Sequence, residues 1–325
     1  MATIAENIQT LRSIKSDIKN AITDKGGNVG NDFKTYAQAI TNLPSGGGGG
    51  TEIEDALITR TISVYSNDRI SVVGAGAFNT CTSLTSIDLP NCIEINHGAF
   101  EYCSKLISVN LPLCRTINNF AFASCYSLTS IDLPNCIEIN YGVFGHCYSL
   151  QYINLPNCLY ASNNCFEECS NLMSIDLPLC EYVTFGLFSK CLKLTSVNMP
   201  LCKGIEGYAF SSCYALPSID FQNCKFVHYN AFNYCSTLSI VKLPNCSYFD
   251  ENTFGNCINL KEVYLNSVSS VTKIQSNTFS NCPNLISVYV PASLVDAFKT
   301  EQNWTSISSK IVAYTGAQVS TEDIL

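Results

Sequence analysis

The spacing of the cysteines is the first feature of this sequence that suggests chemistry. There are nineteen cysteines, and seventeen of them fall in two series that keep a period of 22 residues, with one series displaced from the other by 11. The first series is Cys81, Cys103, Cys125, Cys147, Cys169, Cys191, Cys213, Cys235 and Cys257, and the second is Cys92, Cys114, Cys136, Cys158, Cys180, Cys202, Cys224 and Cys246. Thiols at fixed spacing suggest disulfides or a metal site.

Three interpretations of the cysteines compete. Zinc sites use clusters such as C-x-x-C, which a strict spacing of 11 does not supply. Disulfides between stacked units are within reach at a strand spacing of about 4.8 Å, but the parallel Cβ vectors of equivalent residues suit a bridge badly. We favour the third interpretation, in which the cysteines are small buried apolar residues and free thiols. Free thiols fit folding in a reducing compartment.

Catalytic groups do not cluster in the sequence. The three histidines are His97, His146 and His228, and they lie far apart in different positions of the 22-residue period. No nucleophile, base and orienting residue fall together. The run Gly46–Gly50 lacks the Lys-Ser/Thr that completes a phosphate loop. We therefore expect no enzymatic activity, no cofactor and no metal.

The repeat unit has a clear internal pattern. Leu84-x-x-Ile87-x-Leu89-x-x-Cys92 matches a leucine-rich repeat, and its alternating residues predict a short strand with one buried face. Pro90 cannot donate a hydrogen bond to a sheet and ends that strand. Ten tandem units follow one another, the last with 25 residues. Each unit would bury its apolar residues only by stacking on its neighbours, as in a solenoid.

These observations predict an α/β-type repeat solenoid with a short parallel-strand sheet, plus a small helical N-terminal module. The predicted parts are a helical anchoring or oligomerisation module (1–43), a glycine-rich linker (44–50), an N-terminal β cap (51–76), the solenoid (77–292) and a C-terminal helical cap and tail (293–325). The first part carries an apolar helical stripe. The stripe consists of Ile4, Ile8, Leu11, Ile14, Ile18 and Ile22.

Composition excludes several classes of partner. Charged residues make up 14% of the chain and the net charge is −8, with no Lys/Arg cluster to neutralise phosphates, so we expect no nucleic-acid binding. No run of 18 apolar residues occurs, so we expect no membrane insertion. The first residues, MATIAENIQT, also lack the basic and apolar regions of a signal peptide.

Two columns of residues are predicted to point outward from the solenoid. The first lies in the strand and alternates between Asp and Asn: Asp88, Asn110, Asp132, Asn154, Asp176, Asn198 and Asp220. Adjacent carboxylates at about 4.8 Å would repel, so the alternation either separates charges in a structural row or presents a polar surface to ligand hydroxyls or a basic partner. A row of calcium ions fits less well, because the ligands of one ion must lie within a few ångströms of each other.

The second outward column becomes aromatic in its later half. It contains Tyr160, Tyr182, Phe226 and Tyr248, preceded by Glu94, Thr116 and Glu138. Exposed aromatic side chains in a row can stack on sugars or anchor a protein partner. They can equally stack on each other and stabilise the coil.

The unit resembles the BspA-like leucine-rich repeat family of bacteria, protists and phages. The run Ala-Phe-x-x-Cys-x-x-Leu-x-x-Ile-x-Leu-Pro carries this resemblance, for example at Ala99–Pro112 and Ala121–Pro134, and Val290–Ile311 resembles the helical end piece of the family. The similarity covers roughly residues 53–312, with Gln222 in place of the proline that ends the strand as one departure. The front segment Ile14–Leu43 resembles short helical segments of tailed-phage fibre and minor structural proteins.

The resemblance implies a recognition or adhesion module. With the front segment included, it implies a virion-associated attachment protein of a tailed phage, of the tail or head fibre type and assembled in the bacterial cytoplasm. The N-terminal helices would then bind other virion proteins, the chain would be a homo-oligomer, and the solenoid would bind a host surface protein or glycan. The alternative is a BspA-like adhesin on the bacterial cell surface, or a protein-interaction scaffold.

Overall fold

The computed structural model describes residues 60–316, which form a coil of about 11 turns. Two ladders of short parallel strands run along it, and most strands pair with their equivalents 22 residues later, as Ile87 does with Val109. The strands of the first ladder are Val64–Ser66, Ser86–Asp88, Ser108–Asn110, Ser130–Asp132, Tyr152–Asn154, Ser174–Asp176, Ser196–Asn198, Ser218–Asp220, Ile240–Lys242, Glu262–Tyr264, Ser287–Val290 and Ile311–Ala313.

The second ladder follows a tight corner that most units form at a proline and one forms at Gln222. Its strands have two residues each, usually one outward and one buried, as in Tyr160 and Ala161, whereas both residues of Gly204–Ile205 are buried. They are Val72–Val73, Glu94–Ile95, Thr116–Ile117, Glu138–Ile139, Tyr160–Ala161, Tyr182–Val183, Gly204–Ile205, Phe226–Val227 and Tyr248–Phe249. The first strands of both ladders, Val64–Ser66 and Val72–Val73, lie inside the segment expected to be a cap.

The third side of the coil contains turns joined by hydrogen bonds between units. The Phe100 amide donates to the Ala121 carbonyl at 2.7 Å, and the Tyr102 amide donates to the Ala123 carbonyl at 2.9 Å. Tyr102 has a φ of 60°, and a residue at its position has positive φ in every repeat. A left-handed conformation costs a non-glycine residue roughly 1–2 kcal/mol. The hydrogen bonds between units hold these residues in place.

The core repeats with the ladders. The phenylalanines of successive units stack with near-parallel rings, with centroid separations of 5.0 Å for Phe78 and Phe100 and 5.7 Å for Phe144 and Phe166. The repeating leucines and the β-branched residues of the strands complete the buried interior.

The C-terminal end of the core is covered. A short 3-10 turn at Ala292–Leu294, an α-helix at Val295–Thr300 and a 3-10 segment at Gln302–Lys310 pack over the last repeat. Trp304 is fully buried, and its indole nitrogen donates to the Thr272 carbonyl at 2.7 Å. Apolar side chains of the last repeat are thereby removed from water.

The α/β-type description is not confirmed for the described residues, because the repeats contain strands and turns and the one α-helix has six residues. A helix is about 10 Å wide. Parallel strands repeat at about 4.8 Å, so helices in adjacent repeats could not stack without strong curvature. Across residues 60–316 no helix has the length and apolar character of a membrane span. The helical module, its apolar stripe, the linker and residues 317–325 lie outside the described residues.

Candidate recognition surface

The structure confirms that the cysteines point inward. Eighteen are buried and Cys282 is partly buried, and all nineteen are free thiols. The Cys103 thiol donates to the Phe78 carbonyl at 3.1 Å, and the equivalent cysteines repeat this contact along the coil. Burial raises the pKa of Cys81 to about 11 and that of Cys136 to about 12. Neutral, buried thiols are poor nucleophiles and poor metal ligands.

The histidines lie apart in the structure, as their spacing indicated. His146 forms an ion pair with Glu168 at 2.9 Å, and Lys190 binds the other oxygen of that carboxylate at 2.6 Å. The hydrogen bond from Lys190 is the largest cause of the lowered pKa of Glu168. His228 lies between Glu206 and Asp250. Within residues 60–316 no histidine side chain hydrogen-bonds a serine or cysteine, and no three His, Cys, Asp or Glu residues form a group that could hold a metal.

The Asp/Asn row lies on the outer face of the first ladder. The Asn110 amide donates to the Asp88 carboxylate at 2.8 Å, and the Asn154 amide donates to Asp132 at 2.7 Å. The pair of Asn198 and Asp176 repeats this contact at 2.8 Å. Each asparagine therefore binds the aspartate of the preceding turn. This pairing satisfies the row internally and supports the structural interpretation of its alternation.

The aromatic column lies on the second ladder, and its members differ in exposure. Tyr160 and Tyr182 are 47% and 43% exposed, whereas Phe226 and Tyr248 are half-buried. Phe226 lies over Gly204, where a Cβ atom would be 2.1 Å from its ring. The Phe226 ring therefore reaches back to stack on Tyr182, with 6.4 Å between the ring centroids.

A seam crosses the coil between the turn of Tyr160 and the turn of Tyr182. The strand pairing of both ladders is interrupted there: Tyr152–Asn154 does not pair with Ser174–Asp176, nor Tyr160–Ala161 with Tyr182–Val183. Side chains replace part of the missing backbone bonding. The Thr184 hydroxyl donates to the Ala161 carbonyl at 2.8 Å, and the Cys180 thiol donates to the Cys158 carbonyl at 3.2 Å.

The seam is the one joint among the described residues at which the strand pairing of both ladders is interrupted. The stacked phenylalanine rings continue across it, because the 5.7 Å between Phe166 and Phe188 is also the separation of Phe122 and Phe144. The first ladder has a second break before Ser218–Asp220, but there Pro217 has no amide to donate. No proline explains the seam.

Two clefts open on either side of Tyr182. The first lies at the seam and is lined by Leu159, Tyr160, Ala161, Leu179, Glu181 and Tyr182. The second is lined by Glu181, Tyr182, Leu201, Lys203, Asn223, Lys225 and Phe226. Glu181 and Lys203 form an ion pair at 2.5 Å on their shared rim. Among the described residues no carboxylate pairs with Lys225.

Sequence reasoning found the tyrosines of this surface but missed its leucines. Leu179 and Leu201 occupy a position that is asparagine in most units, where the amide donates to a carbonyl of the preceding unit, as Asn157 does to Pro134 at 2.7 Å. Replacing this asparagine by leucine removes that bond and exposes an apolar side chain. The break in the asparagine column is a signal that includes these residues, but it also includes Leu113, which lies away from the clefts.

A family model for the BspA type leucine rich repeat region matches residues 58–173, 93–203 and 181–305, with 6 copies. These segments together span more than half of the chain. The chain belongs to the BspA-type leucine-rich repeat family. This confirms the resemblance of the repeats, whereas the proposed phage-like front segment precedes the matched residues and lies outside those described.

Several solved structures are similar to this BspA-type chain. A leucine-rich repeat protein of T. pallidum is 31% identical over 46% of this chain and 72% of its own, with a TM-score of 0.43. A leucine-rich repeat protein of Bacteroides ovatus is 22% identical over 79% of this chain and 85% of its own, with a TM-score of 0.45. A leucine-rich cell surface protein of Faecalibacterium prausnitzii is 22% identical over 72% of this chain and 81% of its own, with a TM-score of 0.40. No curated protein matches the chain.

Proposed function

We propose that this protein is a non-enzymatic recognition module, a bacterial cell-surface adhesin or interaction scaffold, that binds its partner through the aromatic half of the second ladder. The observation that carries the proposal is the exposed apolar surface formed by Tyr160, Tyr182 and the neighbouring leucines. Exposed apolar patches rimmed by polar groups are typical of interaction sites. The Asp/Asn row binds itself instead, so it offers a partner fewer free groups.

The test is an attachment assay with two matched double variants. Tyr160→Ala with Tyr182→Ala should weaken attachment of beads coated with the purified chain to cultured host cells at least tenfold. Because both tyrosines are exposed, the circular dichroism spectrum and melting temperature should change little. The control, Asp132→Ala with Asn154→Ala on the first ladder, should attach as the unmodified chain does. Equal attachment by the tyrosine variant would refute the proposal.

The virion-attachment hypothesis is a second candidate, favoured by the resemblance of Ile14–Leu43 to phage fibre segments. The family match supports the adhesin or scaffold hypothesis better, because that match rests on the repeats alone. Deleting residues 1–45 separates the two. The virion hypothesis expects a soluble, folded solenoid that no longer joins its particle or oligomer, whereas the scaffold hypothesis expects unchanged binding through the second ladder.

A further inference from the structure

The paired clefts around Tyr182 also limit the kind of ligand that fits them. Most of the surface that they expose comes from apolar atoms, including those of Leu159 and Leu179 in the first cleft and Leu201 and Phe226 in the second. The polar side chains of the second cleft are Glu181, Lys203, Asn223 and Lys225. A sugar ligand requires hydrogen-bonding groups on several sides. Apolar side chains of a protein ligand are instead stabilised when they leave water and contact an apolar surface. The clefts therefore favour a protein ligand over a glycan.

The spacing of the clefts corresponds to an extended peptide. The first cleft is centred between the turns of Tyr160 and Tyr182, and the second on the turn of Leu201 and Lys203. With turns repeating at about 4.8 Å, their centres are about one and a half turns, or roughly 7 Å, apart. Residues i and i+2 of an extended strand project on the same side about 6.7 Å apart. Two alternate side chains of one strand can therefore enter both clefts.

The seam keeps the first cleft open. Elsewhere on the coil, exposed aromatic residues one unit apart close onto each other, as Tyr126 and Tyr148 do with 5.4 Å between their ring centroids. No such ring contact joins Tyr160 and Tyr182 in the described residues, and it is between these two that strand pairing is interrupted. A slot between two rings remains for a ligand side chain.

The charge at one end of the second cleft indicates which side chain the ligand carries in addition to its two apolar ones. Lys225 lines the far end of the second cleft, and the described residues give its ammonium no carboxylate partner. The neighbouring Lys203 is already paired with Glu181. A carboxylate on the ligand beyond its second apolar side chain would complete the pairing at this end of the surface.

We infer that the clefts bind an extended segment of a protein partner, with apolar side chains at positions i and i+2 and an acidic side chain beyond them that pairs with Lys225. This inference rests on the proposed function and specifies its ligand. Peptide recognition of this kind derives specificity from pockets that receive alternate side chains.

The probe is an array of synthetic nine-residue peptides in a Ser/Gly background. Its members carry two apolar residues at alternate positions followed two residues later by Asp or Glu. Control peptides move the apolar residues to adjacent positions or replace the acid by Lys. We expect the full chain to bind the alternating acidic peptides at least tenfold more tightly than either control.

Variants of the protein test the assigned residues. Tyr182→Ala should reduce peptide binding at least tenfold, and Lys225→Glu should reverse the preference from acidic to basic peptides. Tyr152→Ala and Lys105→Glu, which change exposed residues away from the clefts, should bind as the unmodified chain does.

Failure of this inference is distinguishable from failure of the proposed function. Absence of binding to every array peptide at millimolar concentration, or binding indifferent to Tyr182→Ala, would overturn the peptide assignment. Binding of a parallel oligosaccharide array that depends on Tyr182 would also overturn it while leaving the recognition surface intact. Unchanged cell attachment by the Tyr160 and Tyr182 double variant would instead overturn the function itself.

Discussion

The buried and the exposed positions of this coil repeat with the same period of 22 residues. They differ in how much the residue type changes from one turn to the next. Inside, one residue type recurs: the ring column is phenylalanine from Phe78 to Phe254, and the cysteine columns are constant over the same turns. Outside, the second ladder changes from Glu138 to Tyr160 in one turn, and to Gly204 two turns after that. The phenylalanine and cysteine columns meet their equivalents in neighbouring turns in similar surroundings and keep one residue type. Another buried column varies in size, from Ala121 through Val143 and Cys165 to Leu187.

The difference favours the outer surface as the place for the proposed recognition. A substitution in the interior disturbs packing with the turns on both sides, whereas a substitution of an outward residue costs little folding free energy. Outward residues can therefore adapt to a partner. Departures from regularity are therefore informative. Leu179 and Leu201, Gly204 beneath Phe226 and the seam before Tyr182 occur within a few turns of one another, although Leu113 breaks the asparagine column elsewhere. The following predictions test the contrast between interior and surface.

The largest expected effect is cooperative unfolding in alkali. Burial raises the pKa of most of the cysteines, including Cys81 to about 11 and Cys147 to about 12. A raised pKa in the folded state stabilises the fold fully below the unfolded value of about 8.5. That stability is lost as the pH rises towards the folded pKa, because only the unfolded chain releases protons readily. Stability should therefore fall steeply between about pH 8.5 and 11, measured by urea denaturation.

Interior and surface variants provide the control for the alkaline transition. Replacing Cys103, Cys125 and Cys147 together by Ala should make the loss of stability with pH less steep, because three titrating groups are removed. Tyr160→Phe with Tyr182→Phe removes two surface phenols and should leave the slope nearly unchanged. A slope unaffected by the cysteine replacements would contradict a thiol origin.

The next effect concerns thiol reactivity. Because the thiols are free but buried, the native chain should react with at most a few equivalents of a thiol reagent at neutral pH. The denatured, non-reduced chain should react with close to the nineteen equivalents that its composition gives. A denatured count near one would indicate a disulfide ladder instead and would contradict the buried-thiol interpretation.

A single interior ring should matter more than any exposed one. Phe166 is fully buried, and its ring lies between Phe144 and Phe188 at 5.7 Å from each. Phe166→Ala should lower the free energy of unfolding by about 3–5 kcal/mol, because it creates a cavity between two turns. The control is Tyr152→Ala, an exposed residue of the same turn, which should cost below about 1 kcal/mol. Equal losses in urea denaturation would argue against a distinct interior.

The sequence predicted the interior well because its constraint repeats. A period of 22 residues places every phenylalanine, leucine and cysteine in a column, and the first strand of each unit follows from the alternation around Ile87. The second ladder has strands of only two residues, too short for an alternation to be recognised. The α/β description of the repeats is not confirmed, since a unit-by-unit pattern does not show that helices would be too wide to stack. The predicted N-terminal helical module lies outside the described residues.

The clefts of the candidate surface follow from the sequence only in part, for a related reason. Tyr160 and Tyr182 were identified because aromatic residues in an outward column are unexpected, but the same column included Phe226 and Tyr248, which the structure half-buries. The seam depends on which turn forms backbone hydrogen bonds with the next, and residue types alone do not encode it. Whether Thr184 donates through its hydroxyl or its amide is decided by the three-dimensional packing.

The smallest effect tests whether the Asp/Asn row is structural. Asn154→Asp removes the bond to Asp132 and places three carboxylates in succession, at Asp132, position 154 and Asp176. Like charges directly opposite in a sheet cost about 0.2–1 kcal/mol, and an exposed hydrogen bond contributes about as much. We therefore expect a loss of about 1 kcal/mol at low salt in urea denaturation.

Salt separates the two contributions to that loss. At 1 M salt the Debye length is about 3 Å, so most of the repulsion should vanish and only the lost hydrogen bond should remain. The matched variant Asn154→Ala loses the bond without adding charge, and its smaller deficit should not depend on salt. If Asn154→Asp were as stable as the unmodified chain at low salt, the alternation would not serve to separate charges. The row would then have to be considered as a second surface for a basic partner, and the distinction between the two ladders would weaken.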